Sequence, residues 1–308
     1  METQAPTRHA LLTPDGREIQ VRCWLPEGPA RHAVVLSHGM GEHVDRYAPF
    51  ARFCNEHAIA VFGANHRGHG KNAQLQGHYD DHQGWQKVIE DLDKVVAYAA
   101  QNTGLKVILM GHSMGSFVAR QYAANYGNRL EGLILCGSNH QNPALFHLAR
   151  LVARIQMAVQ GKRHPSRLLG WLSFSQFNKT VKNAETDFDW LSRDREQVGK
   201  YIADPLCGFL CTTQFWYDFM GGLISINSMS TARQMSSELP VYLVAGDKDP
   251  VGRMGKGVQS LYRFFTSAGL KQVDINLYKN ARHELFNETN RDEFYQNILN
   301  WITKTLPR

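Results

Sequence analysis

The chain has 308 residues, of which 43% are hydrophobic and 20% charged, a composition typical of a globular protein with a large buried core. No run of about 18 apolar residues occurs, so the sequence predicts no membrane-spanning helix. The first 25 residues lack a basic start followed by an apolar stretch, and we therefore expect no secretory signal. The five cysteines include no Cys-x-x-Cys pair, which favours a reduced, cytoplasmic location.

The net charge of +6 is concentrated in one part of the chain. Between Glu131 and Glu185 there is no acidic residue, whereas the same segment carries seven Arg and Lys residues. Apolar residues are interleaved with these cations, a combination that favours an anionic lipid surface over a nucleic-acid backbone. A solvated helix face on a basic protein is the alternative. The segment is a candidate for peripheral contact with an anionic membrane, and we expect no nucleic-acid partner.

Extended segments dominate the start of the chain. Two runs on either side of a Pro14-Asp15-Gly16 turn are typical of a β-hairpin, the second run being Glu18–Trp24. Six later runs are short and largely apolar, as strands of a buried parallel sheet should be. These runs are Ala33–Leu36, Ala58–Phe62, Val107–Met110, Leu133–Cys136, Val241–Ala245 and Val273–Tyr278.

Helical periodicity separates these runs. Trp85–Val96 places apolar residues at positions i, i+3, i+4 and i+7, and the stretches Tyr47–Glu56 and Asp292–Lys304 are similar. The alternation of strand and helix predicts an α/β protein with a mostly parallel sheet and helices on both of its faces.

The alternation is interrupted between residues 139 and 227. This stretch is helix-like, aromatic and basic, and it contains no comparable buried strand. We therefore expect a core formed by residues 1–138 and 228–308, with residues 139–227 inserted between two strands as a helical cap.

A Gly-x-Ser-x-Gly pattern, Gly111 to Gly115, lies between a strand-like run and a helix-like stretch. A serine on such a sharp turn exposes its hydroxyl, and the flanking glycines leave room for neighbouring backbone. Ser113 is therefore the candidate nucleophile of a serine hydrolase. A phosphate-binding turn is the alternative, but the Gly-Lys-Ser/Thr sequence of a Walker loop is absent.

A serine hydroxyl needs a base to remove its proton, and histidine is the usual base. In this fold class the catalytic groups follow the order Ser, Asp or Glu, His along the chain and lie after the carboxyl ends of strands. His283 follows the run that ends at Tyr278, precedes the final helical pattern and is the last of fourteen histidines. It is the candidate general base.

The acid should follow the strand-like run that ends at Ala245, where two aspartates compete. Asp247 lies in a tight turn, in which an aspartate commonly bonds to its own backbone. Asp249 lies further along the loop and can reach an imidazole. We therefore choose Asp249, whose role would be to fix the imidazole tautomer and stabilise the imidazolium.

Two backbone N–H groups should form the oxyanion hole. One belongs to Met114, the residue after the candidate nucleophile, which also begins a helix. The other should come from the glycine-rich loop His38–His43, where Met40 is the expected donor.

Parts of the chain resemble one known family. The loop His38–His43 with the following Arg46-Tyr47 resembles that of monoacylglycerol lipases and related lysophospholipases of the α/β-hydrolase fold. Asn65–Gly70 is similar to the family's Asp-x-x-Gly-His-Gly turn, with Asn in place of the usual Asp. Gly111–Gly115 matches its nucleophile turn, and Asp204-Pro205-Leu206 is similar to a motif of its cap.

The resemblance extends over most of the chain in order, although residues 142–201 are only loosely similar. It implies that Ser113, Asp249 and His283 form the catalytic triad. It also implies that Met40 and Met114 line the oxyanion hole.

Histidines near the glycine-rich loops suggest a metal site as an alternative, and His66-x-x-His69 is the most suggestive pair. Catalytic zinc sites usually have a helical ligand spacing or a third defined ligand, and this pair has neither. We therefore expect these histidines to form hydrogen bonds, with no metal and no cofactor in the protein. Cys207 and Cys211 are expected to belong to the core of the cap, with a redox-sensitive pair as the alternative.

These residues predict a carboxylic-ester hydrolase that acts on a single-chain lipid ester, a monoacylglycerol or a lysophospholipid, through an acyl-enzyme. Hydrolysis of small soluble esters or an aminopeptidase-like activity is the alternative within enzymes. A non-catalytic binder on a hydrolase scaffold is the alternative outside them. Head group, acyl-chain length and oligomeric state are not encoded in these motifs.

Overall fold

Eight strands form one sheet in the computed structural model, which describes residues 6–307. Residues 1–5 and 308 of the predicted core lie outside the described residues. The strands are β1 (Thr7–Leu12), β2 (Glu18–Trp24), β3 (His32–Ser37), β4 (Ile59–Ala64), β5 (Val107–His112), β6 (Leu130–Cys136), β7 (Val241–Gly246) and β8 (Val273–Tyr278).

The strand order is β1-β2-β4-β3-β5-β6-β7-β8. β1 and β2 form the predicted hairpin, and β2 also pairs antiparallel with β4. All pairings from β4 to β8 are parallel. The predicted α/β fold with a mostly parallel sheet is confirmed.

Ten α-helices are present among the described residues. They are α1 (Ala48–Glu56), α2 (Gly84–Thr103), α3 (Met114–Tyr126), α4 (Ala144–Gln160), α5 (Arg167–Phe174), α6 (Arg195–Ala203), α7 (Thr213–Ile226), α8 (Met229–Ala232), α9 (Lys256–Ala268) and α10 (Arg291–Thr305). α2, α3 and α9 contribute to the core on one face of the sheet, whereas α1 and α10 contribute to the core on the other. None of the helices within residues 6–307 is both long enough and apolar enough to cross a bilayer.

Some helices and strands differ from the predicted ones. α2 continues to Thr103, seven residues beyond the predicted end, and stops where Gly104 adopts a left-handed φ of 69°. α9 was not predicted, although its buried residues Val258, Leu261 and Phe265 have helical spacing. Ala58 was predicted as strand but has a φ of 57°, so β4 begins one residue later.

The segment between β6 and β7 contains α4 to α7 within residues 139–227, and no strand of the sheet lies there. α4 packs along α7, and buried residues of both helices join the core cluster beneath. Side chains of this segment line the same cavity as Gly39, Ser113 and His283, which follow the carboxyl ends of β3, β5 and β8. All five cysteines are free thiols.

Candidate active site

Ser113 lies in the one-residue turn between β5 and α3. Its φ of 51° and ψ of −122° are strained for a residue with a side chain, as the strand-to-helix turn requires. The Ser113 N–H donates a hydrogen bond to the carbonyl of Cys136, at the end of neighbouring β6 (2.9 Å). This hydrogen bond to the neighbouring strand thus helps to hold Ser113 in its backbone conformation.

The glycines that flank Ser113 are required by close backbone contacts. A Cβ on Gly115 would lie 2.0 Å from the carbonyl oxygen of Ser37, and one on Gly111 would lie 2.4 Å from the carbonyl oxygen of Gly115. Neither clash could be relieved by moving a side chain. The spacing of the motif therefore reflects the contact between α3 and the end of β3.

His283 and Asp249 contact each other in the interior. The His283 Nδ1 lies 3.0 Å from Asp249 Oδ1, and the two residues are 1% and 0% exposed. Burial opposes protonation of His283, but the charge of Asp249 and its hydrogen bond outweigh this effect, so the pKa of His283 is raised. Nε2 of His283 has no hydrogen-bond partner within residues 6–307, which leaves it free for a proton from Ser113 or a substrate.

The other candidate acid, Asp247, occupies a different position. Its Oδ1 accepts a hydrogen bond from the N–H of Asn280 (2.7 Å), which closes the turn beside β8. The structure therefore brings Asp249, and not Asp247, to His283.

Three further residues surround the ring of His283, and none of them was singled out from the sequence for this role. The rings of His112 and Trp190 lie with their centroids 4.8 and 5.1 Å away. Gly137, after β6, has a φ of 63°, and a Cβ there would lie 2.9 Å from His283 Cε1. Burial and the nearby His283 lower the pKa of His112 to about 4, so this ring is neutral near pH 7.

The glycine-rich loop of residues 38–43 (hereafter the 38–43 loop) lies beside Ser113. The Gly39 N–H donates to Glu42 Oε1 (2.5 Å), and the Gly41 N–H donates to His69 Nε2 (3.3 Å). The Met40 N–H between them has no hydrogen-bond partner within residues 6–307. Met114 is the first residue of α3, so its N–H has no intrahelical acceptor. Neither candidate oxyanion donor has a hydrogen-bond acceptor among the described residues.

The buried histidines behind this loop are bonded to the backbone. His38 Nε2 accepts the N–H of His66 (3.0 Å), so its Nδ1 carries the proton and donates to the Gly39 carbonyl (2.8 Å). Burial lowers the pKa of His38 and of His69 to about 3, so both are neutral. The structure uses His66 and His69 for hydrogen bonds that shape the loops.

One group among the described residues has the spacing of metal ligands, and no pattern in the sequence indicated it. Ligand atoms of His43, Asp204 and Cys207 lie within 4.8 Å of one another. His43 Nε2 is hydrogen-bonded to Asp204 Oδ2 at 2.8 Å, and the Arg46 guanidinium acts electrostatically on Cys207.

A cavity of about 430 Å³ opens above Ser113 and His283, and Met40 is part of its wall. Its apolar wall includes Trp171, Phe174, Phe188, Trp190, Phe209 and Trp216. All six side chains belong to residues 139–227. The insertion thus supplies a largely aromatic wall to a cavity whose floor carries the candidate nucleophile and base.

Comparison with known proteins places this chain in a family. Residues 28–290 match the Hydrolase_4 family, which is described as "Serine aminopeptidase, S33". The monoacylglycerol lipase of Mycolicibacterium smegmatis is 26% identical over 99% of this chain and 100% of its own length. The monoglyceride lipase of Homo sapiens is 26% identical over 96% of this chain and 89% of its own length.

Two solved structures, of an esterase and of a lipase, are also similar to this chain. A thermostable carboxyl esterase from Bacillus coagulans, in complex with glycerol, superposes with a TM-score of 0.89 and 28% identity, over 98% of this chain and 99% of that chain. A structure described as "Lipase (Open form)" superposes with a TM-score of 0.87 and 27% identity, over 99% and 100% of the two chains. The chain belongs to the Hydrolase_4 family and is a serine ester hydrolase with the α/β-hydrolase fold.

Proposed function

We propose that the protein hydrolyses esters of single-chain lipids, and monoacylglycerols above all, with Ser113, His283 and Asp249 as its catalytic triad. The observation that carries this proposal is the position of Ser113 and His283 on the floor of the aromatic cavity. A pocket of this size with an apolar wall suits an acyl chain, and its few polar groups are near the nucleophile. The names of the relatives from Mycolicibacterium smegmatis and Homo sapiens support the same substrate class.

In the proposed reaction, His283 removes the proton of Ser113 as the hydroxyl oxygen attacks the ester carbonyl. Asp249 holds the imidazole and stabilises its protonated form. The N–H groups of Met40 and Met114 stabilise the tetrahedral oxyanion. His283 then protonates the leaving alcohol, and a water molecule activated by the same histidine releases the fatty acid from Ser113.

The charge near Ser113 favours a substrate with an uncharged head group over one whose head group carries a phosphate. Glu42 and Glu284 line the cavity, and the neighbouring Arg46 is hydrogen-bonded to both of them. Two carboxylates and one guanidinium leave a net charge of −1, which repels an anionic head group. We therefore propose a monoacylglycerol, and not an anionic lysophospholipid, as the preferred substrate.

Residues 139–227 are proposed to act as a cap that binds the acyl chain and contacts a membrane. α4 and α5 carry a group of exposed apolar side chains, namely Leu145, Leu148, Leu151, Ile155, Val159, Leu168, Trp171 and Leu172. Val152, which follows Leu151 on α4, is half-buried and packs against the core. Arg154 and Arg167 are exposed on the same two helices, and acidic residues are absent from residues 132–184, which supports an anionic bilayer as the partner of this surface.

The activity is tested with a chain-length series of p-nitrophenyl esters and monoacylglycerols on wild-type protein and Ser113→Ala. Rates that rise with acyl-chain length and vanish in the variant would support the proposal. Equal residual rates in both proteins would exclude Ser113 as the nucleophile. A lysophosphatidic acid with the same acyl chain tests the head group, and we expect it to be hydrolysed much more slowly than the monoacylglycerol.

A second candidate is a hydrolase of small soluble esters, which the likeness to the Bacillus coagulans carboxyl esterase favours. Activity confined to the shortest esters would support this candidate. Aminopeptidase activity, which the family description suggests, needs a free carboxylate for the substrate ammonium. Glu42 and Glu284 are bonded to Arg46, but Asp187 is a further carboxylate of the cavity wall, so an assay with aminoacyl p-nitroanilides tests this activity directly.

A further inference from the structure

The guanidinium of Arg46 lies between two buried carboxylates. Its Nη1 donates to Glu42 Oε2 (2.7 Å) and to Glu284 Oε1 (2.6 Å), and its Nη2 donates to Glu284 Oε2 (2.6 Å). Glu42 and Glu284 are 3% and 4% exposed. One cation therefore joins two anions in an environment where solvent screens their attraction weakly.

Each carboxylate is linked to a different part of the candidate active site. Glu42 accepts the N–H of Gly39 (2.5 Å) and the hydroxyl of Tyr47 (2.7 Å), which fixes the backbone directly before Met40. Glu284 directly follows His283, and its own N–H donates to the carbonyl of Leu191 (2.7 Å). Movement of either carboxylate would therefore move an oxyanion donor or the base.

The two loops follow strands that are not neighbours. The 38–43 loop follows β3 and His283 follows β8, and three strands lie between them in the sheet. Backbone pairing in the sheet therefore does not hold the two loops against each other. The shared guanidinium is a direct connection between them.

We propose that Arg46 is a positioning residue, which holds the 38–43 loop in a fixed position relative to His283 through Glu42 and Glu284. The proposal rests on the function proposed above, because it assigns Met40 to the oxyanion hole and His283 to proton transfer. A planar guanidinium can bind one carboxylate through two donors and another at the same time, which an ammonium cannot do with the same geometry. The ring of Tyr201, 4.9 Å below the guanidinium, keeps it in this plane.

The test is Arg46→Lys, which retains the positive charge but loses the planar set of donors that binds both carboxylates. The matched control is Arg67→Lys, because Arg67 is also buried and joins three carboxylates, those of Asp15, Asp80 and Asp91 (2.7, 3.2 and 2.9 Å), outside the cavity above Ser113. We expect both variants to lose thermal stability. Arg46→Lys should lower kcat on p-nitrophenyl esters by about 10- to 100-fold with little change in KM, whereas Arg67→Lys should keep a kcat close to wild type.

A second variant, Glu284→Gln, keeps the shape of the side chain in case Arg46→Lys does not fold. The titratable groups facing His283 are Asp249, His112, Glu42 and Glu284, while Gly137 and Trp190 carry no charge. Loss of one negative charge should shift the acid side of the kcat/KM profile to lower pH, together with a loss of kcat of about tenfold. A purely structural role of Glu284 would leave the pH profile unchanged.

The rate at which a fluorophosphonate labels Ser113 separates this proposal from the substrate proposal, since labelling needs no lipid. Slower labelling in Arg46→Lys than in Arg67→Lys would support the positioning role, even if the wild type hydrolyses no lipid ester and the proposed substrate is wrong. Equal kcat and equal labelling rates in the two variants would overturn it. Wild-type protein that is not labelled at Ser113 would overturn both proposals.

Discussion

The indole of Trp190 lies against the imidazole of His283, with ring centroids 5.1 Å apart and the planes inclined by 37°. Trp190 belongs to the insertion between β6 and β7, and its carbonyl accepts the N–H of His283 (3.4 Å). The insertion therefore contacts the candidate base directly as well as lining the cavity above it. The insertion thus also helps to hold the loop that carries His283 in place.

Trp190→Ala should lower kcat on short p-nitrophenyl esters by about tenfold, because the imidazole loses the surface that restricts its orientation. Trp190→Phe retains a ring at this position and should recover most of the rate. Trp171→Ala is the control, since this tryptophan also lines the cavity but is 62% exposed. Stopped-flow rates with p-nitrophenyl acetate measure the effect without an acyl-chain contribution. Equal rates in the two alanine variants would show that the contact with His283 has no role.

Gly137→Ala should impair both stability and activity. The added methyl group would lie 2.9 Å from His283 Cε1 at a backbone position with a φ of 63°. Gly104→Ala is a matched control, because Gly104 has a φ of 69° but nothing lies within 4 Å of the position that a Cβ would take there. Both variants should be destabilised by about 1–2 kcal/mol through the left-handed backbone.

Kinetics then separate the two glycine variants. Gly104→Ala should retain wild-type kcat, and Gly137→Ala should lose at least about tenfold as His283 is displaced. Chemical denaturation and ester hydrolysis on the same samples provide both measurements. Wild-type kcat in Gly137→Ala would mean that the loop adjusts and that His283 tolerates the methyl group.

The sequence predicted the elements whose signals are local. Continuous apolar runs identified β3 to β7 because strands covered on both faces need apolar side chains at every position. The Gly-x-Ser-x-Gly motif located Ser113, because its glycines are dictated by backbone contacts that any residue with a Cβ would disrupt. Chain order and loop position then identified His283 and Asp249, whose side chains are in contact in the structure.

The contacts made by residues distant in sequence were not predictable in the same way. Trp190 is 93 positions from His283 and lies in no motif that indicates their contact. Arg46 lies in a recognisable motif, but its second carboxylate, on Glu284, is 238 positions away. Such pairs depend on how the loops converge above the sheet, which no local pattern encodes.

The activity should decline on the acid side of neutrality. Only the neutral imidazole of His283 can accept a proton, and its pKa lies above the usual value of 6.5 because Asp249 outweighs the effect of burial. The acid-side midpoint of kcat/KM should therefore lie above pH 6.5 in the wild type. A midpoint below that value would contradict the raised pKa.

Asp249→Asn removes the charge that raises this pKa and the acceptor that fixes the tautomer. We expect kcat to fall on the order of 10⁴-fold, and the acid-side midpoint of the remaining activity to move to lower pH. Asp247→Asn is the control, since Asp247 bonds to the backbone of Asn280 and should leave the rate unchanged. A larger loss in Asp247→Asn than in Asp249→Asn would reverse the assignment of the acid.

Membrane contact through α4 is tested by placing acidic residues on its exposed apolar face. Leu151 and Ile155 are 53% and 56% exposed, so transfer of each exposed portion into a bilayer should contribute about 1 kcal/mol, roughly half of the value for complete burial. The double variant Leu151→Glu/Ile155→Glu should therefore bind anionic liposomes at least about tenfold more weakly, with unchanged rates on soluble esters. Leu12→Glu, at a residue that is 72% exposed on β1, is the control and should sediment like the wild type. Because Arg154 and Arg167 are exposed on the same two helices, binding should also weaken as the salt concentration rises. Wild-type protein that fails to sediment with anionic liposomes would exclude this surface as a membrane contact.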